Sequence, residues 1–147
     1  MTERARTDVD LDDPRVLSAF DELPLWSAPF GLRLLERVRF RPGLTVLDLG
    51  CGAGFPLLEL AQRLGPAGRV VGIDPWEAGL LRAREKASTY GADRAHLVRA
   101  VGEHLPLRDD SVDLVVSNNG LNNVSDGAIV LAECLRVCRP GAQLVPP

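Results

Sequence analysis

Histidine, a common general base and metal ligand, occurs only twice in these 147 residues, as His96 and His104. Neither lies near a cysteine in sequence, so no metal site is expected. Cysteine is scarce too, at Cys51, Cys134 and Cys138. An odd count with no apolar leader ahead of it speaks against a disulfide framework and for reduced thiols in a cytoplasmic setting. Cys134 and Cys138 stand four apart and so share a helix face. Two small buried side chains are expected there rather than a metal or arsenic site. No uncharged apolar run is long enough for a membrane-spanning helix, so no membrane role is expected. An excess of positive charge is also lacking: 17 Lys and Arg face 20 Asp and Glu, a net charge of −3. That balance offers no electrostatic footprint for nucleic acid.

What is present is a chain long enough to bury a core without staples and an alternation of strand-like and helix-like segments. Residues 1–13 carry five acids and two arginines and read as a tail. Val16, Leu17 and Phe20 suggest a short helix from Pro14 to Phe20, and Leu32, Leu34, Leu35 and Val38 a second one. Between them lies a turn-rich stretch broken by Pro24 and Pro29. Strands are expected at Leu44–Leu49, Arg69–Ile73, His96–Ala100, Val112–Val116 and Ala142–Val145. Helices are expected at Phe55–Leu64, Pro75–Tyr90 and Gly127–Cys138, with Asp74 capping the second and Gly91 following it. Such alternation predicts an α/β domain over 41–147 with a parallel sheet, preceded by a tail and a helical segment over 1–40. Ligands in such sheets sit beyond the carboxyl ends of the strands, so those positions carry the functional reading.

The first strand runs into Asp48-Leu49-Gly50-Cys51-Gly52-Ala53-Gly54-Phe55. Glycines there allow sharp turns and close approach of a ligand to the main chain. A dinucleotide loop, G-x-G-x-x-G, would place its third glycine at Phe55, so a nicotinamide cofactor is disfavoured. The carboxylate of Asp48, two residues before the first glycine, suits a ligand bearing positive charge. Asp74, at the end of the second strand, can accept both hydroxyls of a ribose.

These segments resemble, in order, the motifs of class I S-adenosylmethionine-dependent methyltransferases. The resemblance rests on Val46–Gly54, Val71–Asp74, Gly102–Leu107 with Ser111–Ser117, and Leu135–Gly141. It implies a Rossmann-like, doubly wound parallel sheet in the order 3-2-1-4-5 and S-adenosyl-L-methionine as cofactor. The loop with Asp48, Gly50, Cys51, Gly52 and Gly54 would face the methionine part. Asp74, Pro75 and Trp76 would flank the ribose, Gly102, Glu103 and His104 the adenine, and Ser117 and Asn118 the remaining wall. The segment Ser117–Val124 is similar to small-molecule enzymes such as the arsenite and the ubiquinone/menaquinone methyltransferases, which implies a small-molecule acceptor.

Several features depart from the family pattern. Where many relatives carry an acid that contacts the adenine amino group, this chain has Val101. That contact would then fall to the Gly102 backbone or to Glu103. Ser117-Asn118-Asn119-Gly120 replaces the Asn/Asp-Pro-Pro-aromatic motif of nucleic-acid and nitrogen methylation. The family sheet normally continues past the fifth strand with a helix and an antiparallel pair of strands; this sequence stops at Pro147, so the fifth strand is expected to keep an open apolar edge. Self-association through it, or a longer parent protein, is expected. A version of the fold that binds cofactor or a partner without turnover is the alternative reading.

His96 is expected to be structural and His104 a wall residue beside the cofactor. Trp76 fits packing on the ribose or adenine as well as packing at a helix start. For Trp26 and Phe30, core packing is expected ahead of a lid role. No catalytic side chain is assigned, because a sulfonium already activates its methyl group and the protein's work is orientation of the acceptor.

Overall fold

Five strands form one parallel sheet in the order β3-β2-β1-β4-β5 in the computed structural model, which describes residues 9–22, 27–92 and 94–145. The strands are β1 (Thr45–Leu49), β2 (Arg69–Asp74), β3 (Ala95–Arg99), β4 (Val112–Val116) and β5 (Cys138–Val145). The helices are α1 (Pro14–Glu22), α2 (Ala28–Arg37), α3 (Leu57–Leu64), α4 (Glu77–Thr89) and α5 (Gly127–Val137). The expected α/β fold and strand order are therefore observed. Among the described residues no helix is long and apolar enough to cross a membrane.

Both faces of the sheet are covered, which is why its central strands are apolar at nearly every position. Side chains alternate across β1. Val46 faces a cluster with Leu34 and Leu35 of α2, Leu57 and Leu60 of α3 and Leu80 of α4. Leu47 and Leu49 face the other cluster, with Ile73, Val115 and the α5 residues Val130, Cys134 and Val137. β1 pairs with β2 on one side and β4 on the other. The chain thus reverses its direction of travel across the sheet at β1, and a crevice opens at the carboxyl ends there.

Several expected boundaries shift, among them the start of α3, at Leu57 rather than Phe55. Helix α4 begins at Glu77 rather than Pro75, and Trp76, not Asp74, is its N-cap. Strand β5 begins at Cys138 rather than Ala142. Val112 pairs with Cys138 and Leu114 already with Gln143, so residues 139–142 bulge out. Pro140 lacks a ladder donor and Gly141 sits at φ 80°, which accounts for the irregularity.

The first two helices lean on this frame. Asp21 of α1 pairs with Arg82 at 2.7 Å and with Lys86, both on α4. Helix α2 buries Gly31, Leu34 and Leu35. Phe30 falls on the opposite side and is 51% exposed, so the expected core packing does not occur there. Trp26 lies outside the described residues, as do the first eight residues and Pro146–Pro147.

Candidate functional site

The glycine loop after β1 is stitched to the end of β2. The amides of Gly50 and Cys51 donate to the Ile73 carbonyl at 2.8 and 3.3 Å. Gly52 N donates to Asp74 Oδ2 at 2.8 Å. Trp76 N donates to Asp74 Oδ1, also at 2.8 Å. Two amides from two segments therefore fix the Asp74 carboxylate at the mouth of the crevice, where each oxygen keeps a lone pair for another donor. Gly50 and Gly52 take φ values of 76° and 47°, a region closed to most side chains. A Cβ on Gly52 would meet nothing within 4 Å, so that part of the loop borders open space beside Asp74.

Asp48 is fully buried on β1, and neither of its carboxylate oxygens has a hydrogen-bond partner. Burial, and then the nearby Asp74 carboxylate, push its pKa up to about 8. The Leu57 amide at the start of α3 opposes the shift without reaching hydrogen-bond geometry. Cys51 is buried as well; its thiol is pushed up by burial and by Asp48 and Asp74. A Cβ on Gly72 would lie 2.8 Å from its Sγ. The thiol is thus packed into the core, and only the Cys51 main chain follows the loop.

The opposite wall comes from the segment after β4. Ser117 Oγ donates to the Leu49 carbonyl at 2.9 Å and accepts from Leu121 N at 3.1 Å, tying this segment to the end of β1. Asn118 Nδ2 donates to the Ser27 carbonyl just before α2, while its Oδ1 is buried without a partner. Asn119 is left-handed at φ 65°, and its Nδ2 is likewise buried and unpartnered. A Cβ on Gly31 would fall 2.9 Å from Phe55 Cζ and 3.1 Å from Asn118 Nδ2. Helix α2 therefore seats directly over the start of the glycine-loop helix and over Asn118.

The remaining expected site residues differ in their surroundings. Trp76 packs at the helix start: a Cβ on Gly79 would lie 2.9 Å from its Cδ2, and Phe20 meets it edge-on at 5.4 Å. Its Nε1 is buried without a partner. Pro75, between Asp74 and Trp76, is exposed. Gly102 is buried against Val130 and Leu49. Glu103 Oε1 accepts from Ser125 N at 2.8 Å and Asp126 N at 3.3 Å, in the run leading into α5. His104 and His96 are both exposed.

Two residues with site-shaping roles escaped the sequence reading. Gly120 presses against the glycine loop: a Cβ on it would stand 2.8 Å from both Gly50 Cα and Ser117 Oγ. Glu133, read as an ordinary helix residue, accepts from Leu105 N at 2.8 Å and holds the loop after β3. Its only sequence signal is Arg136 three residues on, a spacing common on helix surfaces.

Among the described residues, the buried polar side-chain atoms without partners belong to Asp48, Trp76, Asn118 and Asn119. All four residues stand at the carboxyl end of β1, β2 or β4. Buried polar atoms in folded proteins are nearly always paired, so these atoms are candidates to meet the groups of a polar ligand. The set offers carboxyl oxygens, an amide oxygen and N–H donors beside a ribose-competent Asp74. That chemistry fits a nucleoside joined to an amino acid.

A family model described as a methyltransferase domain matches residues 47–145. A demethylmenaquinone methyltransferase of Lactococcus lactis subsp. lactis is 32% identical over 136 residues, which make up 92% of this chain and 52% of that protein. An arsenite methyltransferase of Halobacterium salinarum is 39% identical over 103 residues, 70% of this chain and 26% of that protein. A solved SAM dependent methyltransferase from Aquifex aeolicus matches with a TM-score of 0.73 at 32% identity, covering 92% of this chain and 68% of that one. The chain thus spans from about a quarter to about half the length of these curated relatives. The strand order, the glycine loop facing Asp74 and these matches agree, and the chain belongs to the class I S-adenosylmethionine-dependent methyltransferases.

Proposed function

We propose that this chain binds S-adenosyl-L-methionine across the ends of β1 and β2 and supports transfer of its methyl group to a small-molecule acceptor. The observation that carries this reading is the Asp74 carboxylate, fixed by the Gly52 and Trp76 amides beside the loop that Gly52 leaves open. Asp74 would take the ribose hydroxyls. The main chain of Gly50–Gly54, with Asp48 beneath it, would hold the methionine part. Residues 102–104 would border the adenine, with the Gly102 main chain better placed for contact than Glu103, whose carboxylate holds the run before α5.

The cofactor, once bound, supplies a methyl group already activated by the sulfonium. The chain's own contribution is binding, orientation and exclusion of water. Asn118 links the far wall to the segment before α2, so it fixes how closely that helix covers the site. The small-molecule acceptor is supported by the identity to relatives named for demethylmenaquinone and arsenite.

Two further points belong to this reading. The three free cysteines fit a reducing, cytoplasmic compartment. Leu131, Leu135 and Leu144 are exposed along α5 and the outermost strand β5, which supports association through that edge.

Calorimetry with S-adenosylmethionine, S-adenosylhomocysteine and NAD in parallel tests the site. The first two are expected to bind and NAD to give no heat. Binding of NAD alone would overturn the reading.

A further inference from the structure

Asp48 lies beneath the methionine part in the reading above, and its carboxyl is fully buried with neither oxygen hydrogen-bonded, so its charge state bears on binding. Its carboxyl lies in the middle strand, flanked in register by Gly72 of β2 and Val116 of β4. Neither neighbour offers a side-chain donor. The groups that face it are few. Asp74 on β2 brings negative charge, the Cys51 thiol of the glycine loop is neutral, and the start of α3 offers the Leu57 amide. Helix α2, on the same face of the sheet, turns Arg33, Glu36 and Arg37 to solvent. The two acids differ sharply in their support. Asp74 has two amide donors within 2.8 Å, whereas Asp48 has none. Where two carboxyl groups interact in a dry site, the one without donors keeps the proton.

We propose that Asp48 is protonated in the empty chain and gives up that proton when the cationic methionine part of the cofactor fills the loop above it. Resting on the site reading given above, the step balances simply: the O–H bond of the Asp48 carboxyl breaks and the proton passes to solvent. The carboxylate charge that remains is matched by the positive charge that has arrived. Direct contact is not required, because charges in a water-poor interior act over several ångströms. Cofactor binding thereby becomes stronger as pH rises towards the Asp48 titration and levels off above it.

Calorimetric titration of the full chain with S-adenosylmethionine in phosphate and in Tris, at about pH 6.5, counts the protons exchanged. At that pH the ligand's own amino group, titrating near about 8, stays charged. About one proton released per ligand is expected, with affinity rising up to about tenfold per pH unit below the midpoint. D48N should bind with no proton release and no such pH dependence. Independently, the 13C signal of the Asp48 carboxyl in the free wild-type chain should stand at its neutral position at about pH 6.5. It should move to its ionised position when the ligand is added. Binding without proton release, or a carboxyl already ionised in the free chain, overturns this proposal and leaves the site reading intact. Absence of any binding overturns both.

Discussion

Gly50 and Gly120 meet main chain to main chain, so close that a Cβ on Gly120 would stand 2.8 Å from the Gly50 Cα. The loops that leave β1 and β4 are thereby pressed together at the point where the sheet switches direction. Gly120→Ala must push the Gly50 loop or Ser117 aside. Overpacking of this kind costs about 1–3 kcal/mol, and here it also presses on the loop whose Gly52 amide holds Asp74. Gly127 is the control, since a Cβ there meets nothing within 4 Å and the residue opens α5. Urea denaturation should show a lower midpoint for Gly120→Ala and an unchanged or slightly raised one for Gly127→Ala. Equal midpoints for the two variants would show that the loops are not jammed.

The Asp74 carboxylate anchors the glycine loop from below. Asp74→Ala leaves the Gly52 and Trp76 amides without their acceptor and removes the ribose acceptor together. A loss on the order of 2–3 kcal/mol in cofactor affinity is expected from charge-assisted hydrogen bonds of this type. Calorimetry on the variant checks it, and affinity within about twofold of wild type would take Asp74 out of the site.

How much of this was legible beforehand follows from the range of the interactions involved. The strands, the glycine loop and Asp74 show in local patterns, because apolar runs, glycine spacing and an acid at a strand end are short-range signals. The start of α4 did not. Asp74 before Pro75 has the form of a cap and first turn, yet its oxygens hold Gly52, 22 residues away, and Trp76. The bulge in β5 was hidden because Arg139-Pro140-Gly141 reads as a stop between two elements, not as an interruption inside one. The bond from Asn118 to Ser27 spans 91 residues and the one from Leu105 to Glu133 spans 28. Such pairings depend on how helices dock on the sheet, which no local pattern states.

The pH dependence of folding should carry the signature of Asp48. Its folded pKa of about 8 lies above that of an unfolded aspartate, near about 3.9. Between those values the folded chain binds more protons than the unfolded one. Stability from this group is therefore complete below about pH 4 and is lost as pH rises towards 8, by at most roughly 1.4 kcal/mol per unit. Asp48→Asn should remove that slope and exceed the wild type in stability near pH 8. Urea midpoints at two pH values decide it; parallel curves for the two proteins would place a charged Asp48 in the free chain.

Glu133 shifts in the opposite sense. Its hydrogen bonds with Arg136, and then with the Leu105 amide, bring it down to about 2. Arg136 also donates to the Leu105 and Leu107 carbonyls at 3.0 and 2.8 Å, so the pair clasps the loop after β3. This contribution is present above the ordinary glutamate range and fades as pH falls towards 2. Glu133→Ala should cost about 1–2 kcal/mol near neutrality and progressively less in acid. Amide exchange at Leu105 offers a local readout, and unaltered protection there in the variant would show that the loop holds itself.

The outer edge of the sheet gives the last expectation. Leu135 is 64% exposed and Leu144 39%, and both line a cavity of about 330 Å³ between α5 and β5. Large apolar side chains gathered beside a strand with an open edge favour pairing with another chain. Pro140 and the bulge limit that pairing to the Gln143–Val145 stretch, where the ladder with β4 is regular. Gln143 itself is partly committed, since its side-chain amide donates to the Arg37 carbonyl at 2.8 Å and accepts from Arg39 N at 3.2 Å. The apolar contact of Leu135 and Leu144 should therefore contribute more than main-chain pairing. In sedimentation, the chain should self-associate as its concentration rises, and Leu135→Asp should shift it towards monomer without changing the urea midpoint. A monomer at every concentration, or an association indifferent to Leu135, would mean that this face is left bare.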